Sequence, residues 1–266
     1  MAWKSTSLFL LCIVNDWVKV LRFLDGHRKS AMIHPMATTP LTAHELRSRW
    51  KPRKEALQAA RNDHPTCIRL HRAFSWIARC EKDNDSDLDL TLLCLWIAFN
   101  GLYGQWDDER REPHSDRESW RSFLDRIIAI DASKHVSTML TNERELVMSL
   151  LNDEYLSEYF WEEPSDIRAS KSKKSKFDAR TWYIEGKWRM ILDRVLERVY
   201  LLRCQLVHGA ATHGGKLNRE SLLRSVQMLR SVMNAVFLAL IDHGGDEDWG
   251  LMCYPPLKKN AGSNGA

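Results

Sequence analysis

The chain has 266 residues, 44% hydrophobic and 28% charged, proportions that exclude a disordered, collagen-like or polytopic membrane protein. Glycine (12) and proline (8) are too few for the turns of a many-stranded sandwich or barrel, and a net charge of +4 is too small to argue nucleic-acid binding from the whole-protein field. The length suits one domain with appendages, read here as an N-terminal extension over 1–40, a helical domain over 41–249 and a flexible tail over 250–266.

The extension opens with a seven-residue apolar run, LFLLCIV at 8–14, behind Lys4. Asn15 and Asp16 close it, an amphipathic stretch continues, and no small-residue cleavage pattern follows, so it does not read as a secretory signal. It is also far short of the roughly 20 apolar residues of a membrane span. Residues 1–35 read as an upstream extension or as a start placed at Met1 rather than Met32 or Met36.

From Thr42 the pattern is helical. Thr42 and Glu45 have capping-box spacing, and a first helix is expected to about Asn62, bent near Pro52. Pro65 opens a second helix with Ile68, Leu70, Phe74 and Ile77 on one broad apolar face. The segment 88–103 is apolar all round in its second half and reads as the central buried helix. A charged loop is expected over 107–116, then helices with Trp120, Phe123 and Ile127, and around 143–151.

Residues 162–180 lose periodicity and place Arg168, Lys171, Lys173, Lys174 and Lys176 close together, which predicts a mobile basic loop. Trp182 and Tyr183 beside it are candidate base-stacking rings. The stretch 181–207 is helical, with Gly209 as a left-handed stop, and Asn218 caps a last amphipathic helix that Gly244 and Gly245 end. No segment alternates like a strand, so the fold class is all-α.

Six cysteines (Cys12, Cys67, Cys80, Cys94, Cys204, Cys253) show no C-x-x-C and no paired zinc spacing. They read as reduced thiols of a cytoplasmic protein, with no metal and no cofactor expected. Arginine and histidine stand five positions apart twice, at Arg22/His27 and Arg203/His208, where composition predicts roughly one such pair by chance. Flanking sequence singles out the second. The segment RCQLVHGAAT at 203–212, followed by Asn218 and Arg219, resembles the R-x4-H signature of HEPN-domain proteins, especially the bacterial Apea-like group. The upstream LWIAFNGLYG at 95–104 is similar to the buried helix those proteins carry earlier in the chain.

The resemblance covers residues 41 to about 242. It implies a helical bundle of the HEPN type with additional N-terminal helices, usually dimeric, that in its active members cuts RNA without a metal. One residue departs: Cys204 stands where the family commonly has a polar residue such as Asn.

The chemistry is that of the residue types. An imidazole with a reference pKa of about 6.5 can take a proton from a ribose 2′-hydroxyl, and an arginine fork matches phosphate oxygens. His208 and Arg203 are therefore the candidate catalytic pair, and Lys171, Lys173, Lys174, Lys176, Asn218 and Arg219 the candidate RNA contacts. On a continuous helix the pair would be about 140° apart and separated by about 7.5 Å along the axis, so two symmetry-related copies sharing one cleft are expected. From 187 to 230 nine cations face three acids, a local +6 that predicts a phosphate-binding surface.

The function expected is a cytoplasmic endoribonuclease, homodimeric, used as a toxin or in phage defence, with an antitoxin or other inhibitory partner and no membrane association. The alternative is a non-catalytic HEPN-like module that binds RNA, a nucleotide or a protein. Cys204 and His208 at i, i+4 also have nucleophile and base spacing, without an orienting third group. His213 could assist at the cleft, and Asn100 reads as a buried amide or a site-shaping residue.

Overall fold

The structure, a computed structural model, describes residues 39–60, 64–82, 87–216 and 218–255. The Arg22/His27 pair, Cys12, the alternative starts at Met32 and Met36, the end of the first helix at Asn62 and residues 256–266 of the tail expected over 250–266 lie outside the described residues. The described chain is helical apart from one minimal hairpin, so the protein is all-α. It divides into two compact units, named here for their order in the chain: a flanking unit of 40–139 with 229–255, and a central unit of 140–228.

In the flanking unit α1 (Ala43–Ala60) starts at the expected capping box. The Thr42 amide donates to Glu45 Oε2 at 2.7 Å and the Glu45 amide to Thr42 Oγ1 at 3.2 Å, so two orphan donors are satisfied reciprocally. The helix runs through Pro52, which lacks the donor that would reach the Ser48 carbonyl. Next come α2 (Pro65–Lys82) and α3 (Leu88–Tyr103), the latter capped by Asp87, whose carboxylate accepts the Leu90 amide.

The expected charged loop contains a hairpin of β1 (Trp106–Asp107) and β2 (Glu112–Pro113). Asp107 Oδ1 accepts the amides of Glu109 and Arg110 and so closes the turn, a local bond that alternation of apolar residues does not reveal. Ser115 then caps α4 (Asp116–Ile130), and α5 (His135–Asn142) follows.

Phe99 on α3 is the centre of this core. Its ring packs edge-on against Trp96, Tyr103 and Phe123 at 5.6, 4.7 and 6.3 Å, and Phe123 in turn meets Trp249 at 5.1 Å. Gly244 follows the last helix where a Cβ would lie 2.9 Å from Ile130 Cδ1 and 3.0 Å from Trp249 Cζ2, so a larger residue would require these side chains to shift. Arg69 is buried beside the core and carries no carboxylate partner among the described residues. Its Nη1 donates to the carbonyls of Leu102 (3.0 Å) and Gly104 (2.7 Å), and its Nη2 to those of Trp249 (3.3 Å) and Gly250 (3.1 Å). One guanidinium thereby ties the end of α3 to the segment that follows the last helix.

In the central unit α6 (Arg144–Leu151) leads through a 3-10 turn (Glu154–Leu156) to α7 (Glu158–Glu162), α8 (Asp166–Ser172), α9 (Lys174–Glu185) and α10 (Trp188–Val207). The last helix, α11 (Arg219–His243), and α5 both cross the division between the units. Two expectations are corrected here. The basic segment 162–180 is helical: Ser165 caps α8, and Arg168 is held by Glu162 at 2.6 Å and lies 4.5 Å over the Tyr159 ring. Periodicity missed it because the residues these helices bury are small, Ser172 on α8 and Ala179 on α9. The stretch 181–207 is two helices, because Gly186 takes φ +66° and donates to the Trp182 carbonyl as a left-handed cap.

α11 is, among the described residues, the one helix long and apolar enough by composition to cross a membrane, and 67% of its most apolar window is buried in the protein. No disulfide joins the described cysteines.

Two outcomes follow for the flanking unit. Replacing Arg69 by methionine strands four carbonyls and is expected to lower stability by about 3–5 kcal/mol, read as a fall in the urea midpoint. The second concerns Asp242. Burial pushes its carboxyl up, but the His135 hydrogen bond at 2.8 Å, the Arg49 hydrogen bonds at 3.0 and 3.1 Å, and the charges of both groups outweigh burial and hold it below its ordinary value. A depressed carboxyl stabilises the fold above its unfolded pKa of about 3.9 and loses that contribution as pH falls through the lower folded value. Thermal melts between pH 5 and pH 2 should therefore fall less steeply for Asp242→Asn than for the parent.

Candidate functional site

Arg203 and His208 both lie at the C-terminal end of α10. Apolar side chains Ile191, Leu192, Val195, Val199 and Leu202 bury one face of this helix and so fix which way its end projects. The helix stops at Val207, where His208 takes φ −88°, ψ 8° and Gly209 takes φ +71°. The terminal carbonyls are closed locally: the His208 amide donates to Cys204 O at 3.0 Å and the Ala210 amide to Gln205 O at 2.8 Å.

The Arg203 guanidinium is half-buried. It lies 5.8 Å from the Tyr200 ring centroid, and its Nη1 is 4.0 Å from Cys204 Sγ. No carboxylate pairs with it among the described residues. The His208 ring is exposed and makes no hydrogen bond among them. Cys204 therefore sits between the two groups, its thiol against Arg203 and its carbonyl on the His208 backbone. A thiol at 4.0 Å is a weak acceptor and a ring 5.8 Å away lies at the edge of cation–π range, so neither holds the guanidinium tightly.

The remaining candidates are placed as follows. Lys171 and Lys174 are exposed and Lys176 is half-buried; none of the three is ion-paired among the described residues. Lys173, at the junction of α8 and α9, pairs with Glu154 at 3.4 Å. Asn218 precedes α11 at φ +59°, a region asparagine tolerates, and its carbonyl accepts the Leu222 amide at 2.8 Å. Arg219 opens the helix half-buried, and His213 is exposed in the linker. The second resembling segment, 95–104, belongs to the flanking unit, where Asn100 is half-buried and its carbonyl accepts the Gly104 amide at 2.8 Å.

Two expectations about this region change. Of the nine cations over 187–230, Lys187, Arg189, Arg194 and Arg224 pair with Glu185, Asp193, Glu197 and Asp153. Arg198 is 5% exposed and faces inward, so the local charge available to a phosphate is much smaller than the +6 of the sequence. Tyr183 is not a stacking surface either. Its hydroxyl donates to the Leu140 carbonyl at 2.8 Å, Arg144 lies over its ring at 5.0 Å, and burial pushes the phenol well above its ordinary range.

Sequence reasoning missed the network beneath this end of the unit. Asp153 is buried and accepts the Ser221 hydroxyl, Arg224 Nη2 at 2.8 Å and the Tyr155 amide at 3.1 Å. Arg198 donates to the carbonyls of Asp153 (3.0 Å) and Ser172 (2.9 Å), and burial, against the attraction of Asp153, pulls it down to about 10. The only legible signal was an arginine at the position in α10 where the apolar face continues. Asp153→Asn leaves Arg224 unpaired and Ser221 with a poorer acceptor, and should destabilise the central unit by about 2–4 kcal/mol in denaturant melts.

Comparison of the chain with family models, with curated proteins and with solved structures finds no significant match.

Proposed function

We propose that the protein is a metal-independent endoribonuclease of the HEPN type. The observation that carries the reading is the end of α10: an arginine near the Tyr200 ring without a carboxylate to neutralise it, and an exposed imidazole five residues further on with both ring nitrogens available. Arg203 holds the non-bridging oxygens of the scissile phosphate and offsets the charge that develops on them. His208 accepts the proton of the ribose 2′-hydroxyl as its oxygen attacks phosphorus. The bond to the 5′-oxygen breaks, a second histidine in its protonated imidazolium form gives its proton to the leaving oxygen, and the products are a 2′,3′-cyclic phosphate and a 5′-hydroxyl end.

The second histidine is His208 of another copy, which is why the reading requires a homodimer. Large apolar side chains exposed on the central unit favour such contact, among them Val207, 51% exposed and adjacent to His208, with Phe177 and Ile184 on α9. Lys171, Lys174 and Lys176 guide the strand; Lys173 does so only by leaving Glu154. In this reading the enzyme is cytoplasmic, acts as a toxin or phage-defence effector, and is held in check by an antitoxin or similar partner. The alternative, a non-catalytic module that binds RNA, a nucleotide or a protein, is favoured by one observation: the soft Cys204 thiol is a poor hydrogen-bond partner for aligning Arg203.

Purified protein should cleave RNA in EDTA. Arg203→Ala and His208→Ala should each lower the rate by about 10²-fold or more, the usual weight of a proton-transfer or charge-stabilising group, with circular dichroism unchanged. Cys204→Asn should raise the rate. Cleavage that survives both alanine changes rejects the catalytic assignment, and RNA binding without cleavage in the parent favours the alternative.

A further inference from the structure

The flanking unit contains a cleft of about 320 Å³ that the ribonuclease reading does not use. Its apolar walls come from three elements: Trp76 on α2, Ile97 on α3, and Tyr254 after the last helix, which are 39%, 41% and 72% exposed. For Ile97 this is exceptional, since the rest of α3 is largely buried, and it places a β-branched side chain on the surface beside an indole and a phenol.

The cleft is built by the chain rather than left between loose loops. The Trp106 amide donates to Leu251 O at 3.0 Å and the His114 amide to Gln105 O at 3.0 Å, and a bridge pairs Gln105 with Met252, so the hairpin and the C-terminal segment form one small ladder. Arg72 clamps that segment from α2, with Nη1 on Cys253 O at 3.1 Å and Nη2 on Tyr254 O at 2.7 Å.

Charge decides what the cleft takes. Arg69 and Arg72 are one turn apart on α2 and both line it, and among the described residues neither has a carboxylate within ion-pair distance. Backbone carbonyls satisfy their hydrogen bonds but leave two positive charges in place. Burial pulls Arg69 down to about 10, with the neighbouring Arg72 charge pressing the same way and Cys253 and Asp248 opposing it. The one acid in the lining, Asp116, accepts the Tyr103 hydroxyl at 3.1 Å and keeps its own charge, so the two arginines exceed the lining acid by one positive charge. Of the five N–H groups of Arg72, three remain undonated among the described residues. Ser119, 5% exposed and also in the lining, has a hydroxyl without a partner.

We propose that this cleft binds a small aromatic anion, one or two fused rings against Trp76, Ile97 and Tyr254 with a carboxylate or phosphate drawn to Arg72. The volume suits such a ligand. Flat ring walls supply stacking area, and an anion relieves the repulsion between the two guanidinium groups.

The test is isothermal titration of the full-length protein with indole-3-acetate, its neutral isostere indole-3-acetamide, and phenyl phosphate. At least one anion should bind about tenfold or more tightly than the amide, a difference of about 1.4 kcal/mol. Preference for the acetate or the phosphate identifies the acidic group. Arg72→Met should erase the preference; because Arg72 also holds the C-terminal segment, Ile97 supplies an independent check from an exposed position. Ile97→Glu should weaken the anion about tenfold or more, and Ile97→Lys should not. Equal affinity for acid and amide, no binding of either anion, or identical behaviour of the Glu and Lys variants overturns the proposal. Arg203→Ala should leave the titration unchanged, so this inference and the ribonuclease reading fail separately.

Discussion

A main-chain carbonyl buried where no helix or strand can answer it must find a donor, and in each unit of this protein one arginine supplies it. Arg69 gathers four carbonyls at the end of α3 and after the last helix, and Arg198 gathers two from the turn after α6 and the end of α8. Neither guanidinium is in ion-pair contact with a carboxylate among the described residues. Burying such a charge is expensive, and the large downward pull on both groups expresses that expense. The compensation is geometric. A rigid planar fork reaches several carbonyls at once, where a lysine would offer one flexible ammonium.

The two candidate sites sit where this solution leaves cationic groups without an acid. At the end of α10 the packing face of the helix is spent by Leu202, so Arg203 and His208 project from the last turn and the cap instead of being absorbed into the core. At the cleft of the flanking unit, Arg72 holds the C-terminal segment by its carbonyls and keeps its net charge. Both places combine a cation with an aromatic ring, Tyr200 in one and Trp76 in the other, which suits ligands that carry both negative charge and flat rings.

Cations elsewhere show the opposite arrangement. Arg168 lies on Tyr159 between Glu162 and Glu163, Arg224 lies on Asp153, and Arg49 shares Asp242 with His135. Such groups hold the fold and have little charge left for a ligand. A basic sequence run and a basic surface are therefore different things. Here the distinction removes Arg168, Lys173 and four of the nine cations over 187–230 from the accessible charge, and Arg198 by burial.

The sequence by itself determined the all-α class, the starts of α1, α2 and α4, the burial of α3 and the stop at Gly209, because each rests on interactions within about one turn: a cap, a proline, a glycine, an apolar face at helical spacing. Arg203 and His208 were marked by the resemblance of the segment 203–212 to a family signature, since their five-residue spacing also occurs at Arg22/His27. Tertiary structure alone decided that 162–180 is helical, because Ser172 and Ala179 bury faces too small to register as apolar periodicity. It decided as well that Arg198 points inward and that Asp153 meets Ser221 and Arg224 from 68 and 71 residues away. Whether a polar side chain is solvated or spent on a distant carbonyl depends on which backbone groups the fold strands beside it, and that is settled only when segments far apart in the chain are packed together.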